Sequence, residues 1–309
     1  MDFLRHEYKS SVKLNKGILE SKISGQTTVE VTNFYDQSPF PNFNSFQNKQ
    51  ELLKIIEANS FLKDLKDCIG LNKSFLEVGS GTCQLSLALA TGTNNSIVAM
   101  DPTKASLKLG QEFAKKNVIK NVSFLNADIF DNPCKDNYFD YVWCSGVLHH
   151  TIDSKKGFEI ISKWVKPGGL VILGLYNTIG RLRTNFRQLI YNLSGRTKIG
   201  EKIVRILDPY LRNKLSKEKD LAWFRDQYEH PVERKHSIDE VLTWFDENQI
   251  DFLGSLPSAN GDGEYRKIHE MNGDKGSAIE RFFSQVDMLF STSGSEGGLF
   301  ICIGKRKDK

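Results

Sequence analysis

Residues 74–84 read Ser-Phe-Leu-Glu-Val-Gly-Ser-Gly-Thr-Cys-Gln, and this stretch constrains the fold of the whole chain. Phe75–Val78 is a short apolar run of the kind that forms a strand buried on both faces. Gly79 and Gly81 follow, and Leu85–Ala90 then reads as helical. A strand that turns on glycine into a helix leaves bare backbone N–H groups at the helix N-terminus, where a polar ligand can approach. The strand also carries Glu77, where a purely structural strand would take an apolar residue. A second apolar run, Ile97–Met100, ends on Asp101. An acid at that point, about 20 residues past the glycines, hydrogen-bonds ribose hydroxyls.

The alternation continues. Val122–Asn126, Phe139–Cys144 and Leu170–Tyr176 read as strands, with helical stretches at 105–117 and 155–164 between them. Pro167 and Gly168 supply the turn into the last of these, since proline presets φ and glycine supplies a positive one. Phe252–Leu256 and Leu299–Ile303 complete the series. The expected fold is α/β, a doubly wound, mostly parallel, seven-stranded sheet. Ligands of such sheets lie beyond the carboxyl ends of the strands. Gly79, Asp101, Asp128 and Ser145 all fall at such ends, so four separate stretches converge on one crevice.

A dinucleotide fingerprint wants a third glycine three residues after the second, and here that position is Gln84. The stretch instead resembles the first motif, E-x-G-x-G-x-G, of the class I S-adenosylmethionine-dependent methyltransferases, with Cys83 in place of the last glycine. The block Phe139-Asp-Tyr-Val, Leu148-His-His-Thr and Trp164-Val-Lys-Pro-Gly-Gly-Leu-Val-Ile-Leu resembles the same region of the ubiquinone-type C-methyltransferases. Together these likenesses cover residues 70–176. The resemblance implies S-adenosyl-L-methionine as cofactor and S-adenosyl-L-homocysteine as product. It places Glu77, Gly79, Ser80 and Gly81 at the amino-acid part, Asp101 at the ribose, and Asp128 with Ile129 at the adenine. Thr82, Pro102, Thr103, Cys144, Ser145 and Gly146 complete the implied cofactor set. For Asp128 an acidic helix cap is the competing reading. His149 and His150 follow the fourth core strand, either as a base toward the acceptor or as a pocket wall.

Four segments are expected: an arm over 1–48, a cofactor-binding core over 49–177, a helical lid over 178–236, and completion of the core over 237–309. The arm holds Phe34, Tyr35, Phe40 and Phe43 around Pro39 and Pro41, either to staple the arm to the core or to cap the cofactor pocket, with Tyr35 and Phe40 as the candidate contacts. Lys49–Lys66 reads as one amphipathic helix. Ser277–Ser291 reads as another, with Ile279, Phe282, Phe283, Val286 and Leu289 inward. Ser237 with Glu240 forms a capping box.

The net charge of +4 is mild, but residues 178–235 carry 14 Lys/Arg against 7 Asp/Glu. Arginine forks suit carboxylates and phosphates. Arg181, Arg183 and Arg187, just after Tyr176, therefore favour a small, acidic acceptor, with Tyr176 and Arg181 on its side of the site; a solvated basic helix face is the competing reading. Tyr228 and His230 are candidates for a polar acceptor wall. Three further readings stay open: an RNA methyltransferase, a cofactor-binding subunit without turnover, and a lipid or quinone acceptor, given the apolar stripes of the lid. No recognised RNA-binding module favours nucleic acid. The five cysteines contain no Cys-x-x-Cys pair, which argues for a reducing compartment and against a zinc site. His230, Glu233 and His236 fit no strong ligand spacing, so no metal is expected. No secretory signal and no apolar run of ~20 residues is visible, and a cytoplasmic protein is expected. The oligomeric state is not legible.

Overall fold

The computed structural model describes residues 2–36, 39–40, 48–212, 217–290 and 297–308. Nine strands are present among them: β1 (Lys13–Asn15), β2 (Ile18–Glu20), β3 (Ser74–Val78), β4 (Ser96–Met100), β5 (Val122–Asn126), β6 (Phe139–Ser145), β7 (Val165–Tyr176), β8 (Ile250–Leu256) and β9 (Leu299–Arg306). They form one sheet in the order β1-β2-β5-β4-β3-β6-β7-β9-β8. Strands β2 to β7 run parallel to one another, β1 is antiparallel to β2, and β9 runs antiparallel between β7 and β8. The seven expected strands are all there. The other two form an N-terminal hairpin that adds β2 to the edge at β5, with Ile18 opposite Phe124.

The order of strands reverses at β3, which has β4 on one side and β6 on the other. That is the topological switch point at which such sheets open a crevice. Successive side chains of a strand point to opposite faces. Leu76, Val78, Val98, Val142 and Val171 accordingly build one core layer. Phe75, Ile97, Trp143, Ile172 and Ile303 build the other.

Three helical expectations change. The single helix read over Lys49–Lys66 is two, Lys49–Ala58 and Ser60–Ile69. Asn59 between them takes an extended conformation, and its side chain accepts from Leu62 N at 3.0 Å. Local capping by asparagine thus competes with helix continuation. The C-terminal helix, Ala278–Asp287, turns over: Ser284 and Gln285 are buried, while Ile279, Phe282 and Phe283 are exposed. The Gln285 side-chain oxygen accepts from Ile238 N at 3.0 Å and from Asn177 at 2.7 Å, which anchors the polar face inward. The predicted end of this helix at Ser291, like Pro41 and Phe43 in the arm, lies outside the described residues. The arm is itself helical over Gln26–Asp36.

The segment expected as a lid contains helices Leu182–Leu193, Lys198–Leu207 and Lys217–Tyr228. Tyr191, Val204, Trp223 and Phe224 give it a small apolar cluster of its own. Among the described residues no helix is long and apolar enough to cross a membrane.

Candidate active site

The glycine loop has the shape that its sequence requires. Gly79 has φ +68° and Gly81 φ +49°. A Cβ at Gly79 would come within 2.2 Å of Val147. Cys83, standing where the motif carries its last glycine, takes φ +64° itself and precedes helix Gln84–Ala90. Its sulfur packs on Gly110, where a Cβ would sit 2.7 Å away. The loop therefore keeps its left-handed step with a residue that rarely adopts it.

Two carboxylates stand at the ends of β3 and β4. Glu77 accepts from Ser86 N at 2.9 Å and from the Ser86 hydroxyl. Burial pushes its pKa up to about 8, against the pull of the Ser86 bonds, and the charge of Asp101 adds to the rise. Asp101 accepts from Gly81 N at 2.8 Å and Thr103 N at 2.7 Å. Burial pushes it to about 6, and these backbone bonds oppose the shift. Asn126 ties the strand ends together by donating to the carbonyls of Asp101 and Pro102 at 3.0 and 2.8 Å. Asp128 accepts from Phe130 N at 3.0 Å, so it does cap a short helical turn, and it also borders the crevice.

A cavity of about 770 Å³ opens above these ends. Glu77, Gly79, Ser80, Gly81, Asp101, Pro102, Thr103, Asp128, Ile129, Ser145 and Gly146 line it, as do Tyr35, His150 and Tyr176. Thr82, Cys144, His149 and Arg181 are among the residues expected at the site that do not line it. Thr82 is fully buried and Cys144 belongs to the core layer beneath. Sequence reasoning overlooked Thr28 and Val31, which line the cavity from the arm. Their i, i+3, i+7 spacing with Tyr35 was readable as a helix face, but the β-branched run Thr27-Thr28-Val29 masked it. Tyr35 donates to Asp226 at 2.7 Å and so latches the arm to the lid.

Tyr176, at the end of β7, is sandwiched. The His149 ring stacks on it at 3.9 Å and the Arg181 guanidinium lies 3.8 Å from its centroid. Two groups that close cannot share one face. Gln227 donates to the Tyr176 hydroxyl at 3.0 Å. Arg181, expected to clamp an acceptor, is fully buried. It donates from both Nε and Nη2 to Glu233, and from Nη1 to Gln227 and to the Gly297 carbonyl. The three arginines face different partners: Arg183 donates to the Leu289 carbonyl, and Arg187 to Thr184. Neither lines the cavity.

His149, His150 and His230 are held neutral. His149 Nδ1 accepts from Tyr176 N at 3.2 Å, which puts the proton on Nε2, and burial holds its pKa well below the usual value. His150 Nδ1 donates to the Val232 carbonyl at 2.6 Å, leaving Nε2 as an acceptor. Burial lowers it to about 4. His230 packs behind it with ring centroids 3.6 Å apart, lowered by burial to about 3. A histidine this weakly basic accepts a hydrogen bond more readily than it removes a proton. Tyr228, expected at an acceptor wall, donates to Asp208 at 2.6 Å away from the cavity.

The strand order, the glycine loop, and the carboxylates at the ends of β3, β4 and β5 define a class I S-adenosylmethionine-dependent methyltransferase. A family model described as a methyltransferase domain matches residues 69–229, and the chain belongs to that family. It is 31% identical over 121 residues to a demethylmenaquinone methyltransferase of Geobacillus sp., covering 38% of this chain and 51% of that one. It is 26% identical over 149 residues to a ubiquinone/menaquinone biosynthesis C-methyltransferase of Idiomarina loihiensis, covering 47% and 59%. The chain thus spans about half the length of the curated relatives it matches. Among solved structures, PKMT2 from Rickettsia typhi in complex with AdoHcy has the same fold, with a TM-score of 0.59 at 16% identity over 81% of this chain and 52% of that one. S-adenosylmethionine is the cofactor and S-adenosylhomocysteine its product. The donor set fits that ligand: glycine backbone at a helix N-terminus, then two further carboxylates at the next strand ends.

Proposed function

We propose that the chain transfers the methyl group of S-adenosylmethionine to a small acceptor with a largely apolar, ring-bearing body. The observation that carries this reading is the rest of the cavity wall. Beyond the residues assigned to the cofactor, it consists largely of Leu52, Ile55, Phe61, Trp143, Leu256 and Ile301. Apolar side chains of this kind remove water from a ring and hold it by contact, while a few polar groups fix its orientation. The polar groups among the rest of the lining include Asn59, His150, Thr151, Tyr176, Tyr210 and Asp226. The acidic acceptor expected from the sequence rested on three arginines, and none of them lines the cavity among the described residues. The relatives named for quinone methylation favour an apolar body as well.

When bound, the cofactor supplies an electrophilic methyl on a sulfonium. This chain's residues position, orient and exclude water. In this reading Asp101 receives the ribose hydroxyls, and Glu77 faces the amino-acid ammonium. Tyr176, immobilised between His149 and Arg181, orients the acceptor. His150 Nε2 accepts a hydrogen bond from it. The test is transfer of labelled methyl from S-adenosylmethionine to a panel of quinols, phenols and aliphatic carboxylates. Transfer to the ring compounds is expected. Transfer to the carboxylates alone would overturn the proposal.

A further inference from the structure

Helix Leu182–Leu193 buries Thr184 and Tyr191. Its opposite face carries Leu182, Phe186, Leu189 and Leu193, at i, i+4, i+7 and i+11, and all four are exposed, Leu193 to 78%. The next helix, Lys198–Leu207, buries Gly200 and Val204. It leaves Ile199, Ile203, Ile206 and Leu207 exposed, Ile199 to 73%. Tyr191 and Val204 enter the same cluster with Trp223 and Phe224, so both stripes lie off the face that packs on the rest of the lid. Arg183 donates to the Leu289 carbonyl at 2.7 Å, which brings the start of this surface to the C-terminal helix. That helix also turns its apolar face outward, and Phe290, in the turn just after it, is 80% exposed. Single exposed apolar residues are ordinary, whereas aligned stripes on neighbouring helices mark a docking surface.

Charge decides the occupant. Residues 182–212 contain seven Lys/Arg and two Asp/Glu. Both acids are engaged: Glu201 pairs with Arg205, and Asp208 is buried against Tyr228 and Trp223. Arg183, Arg196, Lys198, Lys202 and Arg212 remain exposed around the stripes. A second copy meeting this face about a two-fold axis would set like charge against like charge. An anionic bilayer surface meets both features, since its headgroups attract the cations and its acyl boundary takes the apolar stripe.

We infer that the outer face of helices Leu182–Leu193 and Lys198–Leu207 docks on an anionic lipid surface, lying on it and not spanning it. The inner side of the lid, Ala222, Trp223 and Asp226, lines the cavity, so docking sets the lid between the bilayer and the site. The inference rests on this surface and stands whatever the acceptor is.

The test is co-sedimentation of the full chain with phosphatidylcholine vesicles, with and without phosphatidylglycerol, at low and high salt. Binding is expected only to the anionic vesicles and should weaken as salt rises. Lys198→Gln with Lys202→Gln should weaken it by at least about tenfold, as should Phe186→Ser with Leu189→Ser. All these positions are exposed or half-buried surface away from the cavity, so the melting shift caused by S-adenosylhomocysteine should not change in either variant. That control separates loss of docking from loss of fold. Absence of binding at low salt would overturn the inference, as would binding that ignores all four substitutions. So would a stable dimer that Phe186→Ser dissociates in a chain that does not bind vesicles.

Discussion

Arg181→Ala separates a buried structural arginine from an acceptor clamp. The side chain is fully buried, and the Glu233 side chain opposite it is 10% exposed. Truncation leaves the Glu233 carboxylate without its bidentate partner and strips donors from Gln227 and the Gly297 carbonyl. Breaking a buried pair from one side costs about 3–5 kcal/mol. With an unfolding entropy of about 2.1 cal/mol/K per residue, that lowers the melting temperature by about 5–8 °C for a chain of this size. Tyr176 also loses one of the two groups that hold its ring, so turnover should fall while S-adenosylhomocysteine affinity stays nearly constant. Replacing both partners, Arg181→Met with Glu233→Gln, should recover much of the lost stability, because no uncompensated charge remains. Scanning calorimetry on Arg181→Met, Glu233→Gln and the double closes the cycle. A melting temperature unchanged in Arg181→Ala, with only the acceptor KM raised, would refute the buried-pair reasoning and restore the clamp.

Three further outcomes are expected. Asp101→Ala should weaken S-adenosylhomocysteine binding by on the order of 1.5–3 kcal/mol in calorimetric titration, as for hydrogen bonds to a charged group; equal affinity in a folded variant would remove Asp101 from the ribose. Glu77 and Asp101 have folded pKa values raised to about 8 and about 6. Their stabilising contribution to the ligand-free protein is therefore full below the unfolded carboxylate range and is lost as pH rises through 6 to 8. A cofactor ammonium beside Glu77 should ionise it, so binding at pH 7 should release protons, read by titration in buffers of different ionisation enthalpy; no release would place the ammonium elsewhere. His150 and His230, lowered to about 4 and about 3, contribute stability that is present above the ordinary histidine pKa and lost as pH falls below it toward 4. His150→Gln should flatten that acid limb in a series of melts, and an unchanged limb would count against the buried neutral pair.

The strands β3 to β7 were legible because each is an apolar run closed by turn residues, and the cofactor side of the cavity because the ends of those strands carry their own acids and glycines. The N-terminal hairpin was not legible: Lys13, Leu14 and Asn15 are all exposed, so β1 lacks the alternation that marks a half-buried strand. Arg181 misled for a different reason. Arginine at the start of the lid reads as a clamp for an acidic acceptor, and the partner that draws Arg181 inward, Glu233, lies 52 residues on. The C-terminal helix misled through its own pattern, since Ile279, Phe282 and Phe283 have the spacing of a core face. Gln285 overrides that pattern by satisfying Ile238 N and Asn177 inside the molecule. Pattern locates an apolar face, and tertiary hydrogen bonding decides where it points.

The placement of β9 sets an order of events during synthesis. It runs between β7 and β8, pairing Tyr176 with Leu299 on one side and Leu256 with Ile301 on the other. Both neighbours leave the ribosome before it does, and β8 joins the sheet only through it. Strands β3 to β6 need nothing beyond residue 145 to hydrogen-bond among themselves. A nascent chain can therefore assemble the cofactor shelf early, as domains and subdomains fold in vectorial order. The wall that carries Leu256 and Ile301 closes only when the last strand slides into its slot. A chain halted before residue 299 would be able to hold the methyl donor before it had any complete place for the molecule that receives the methyl.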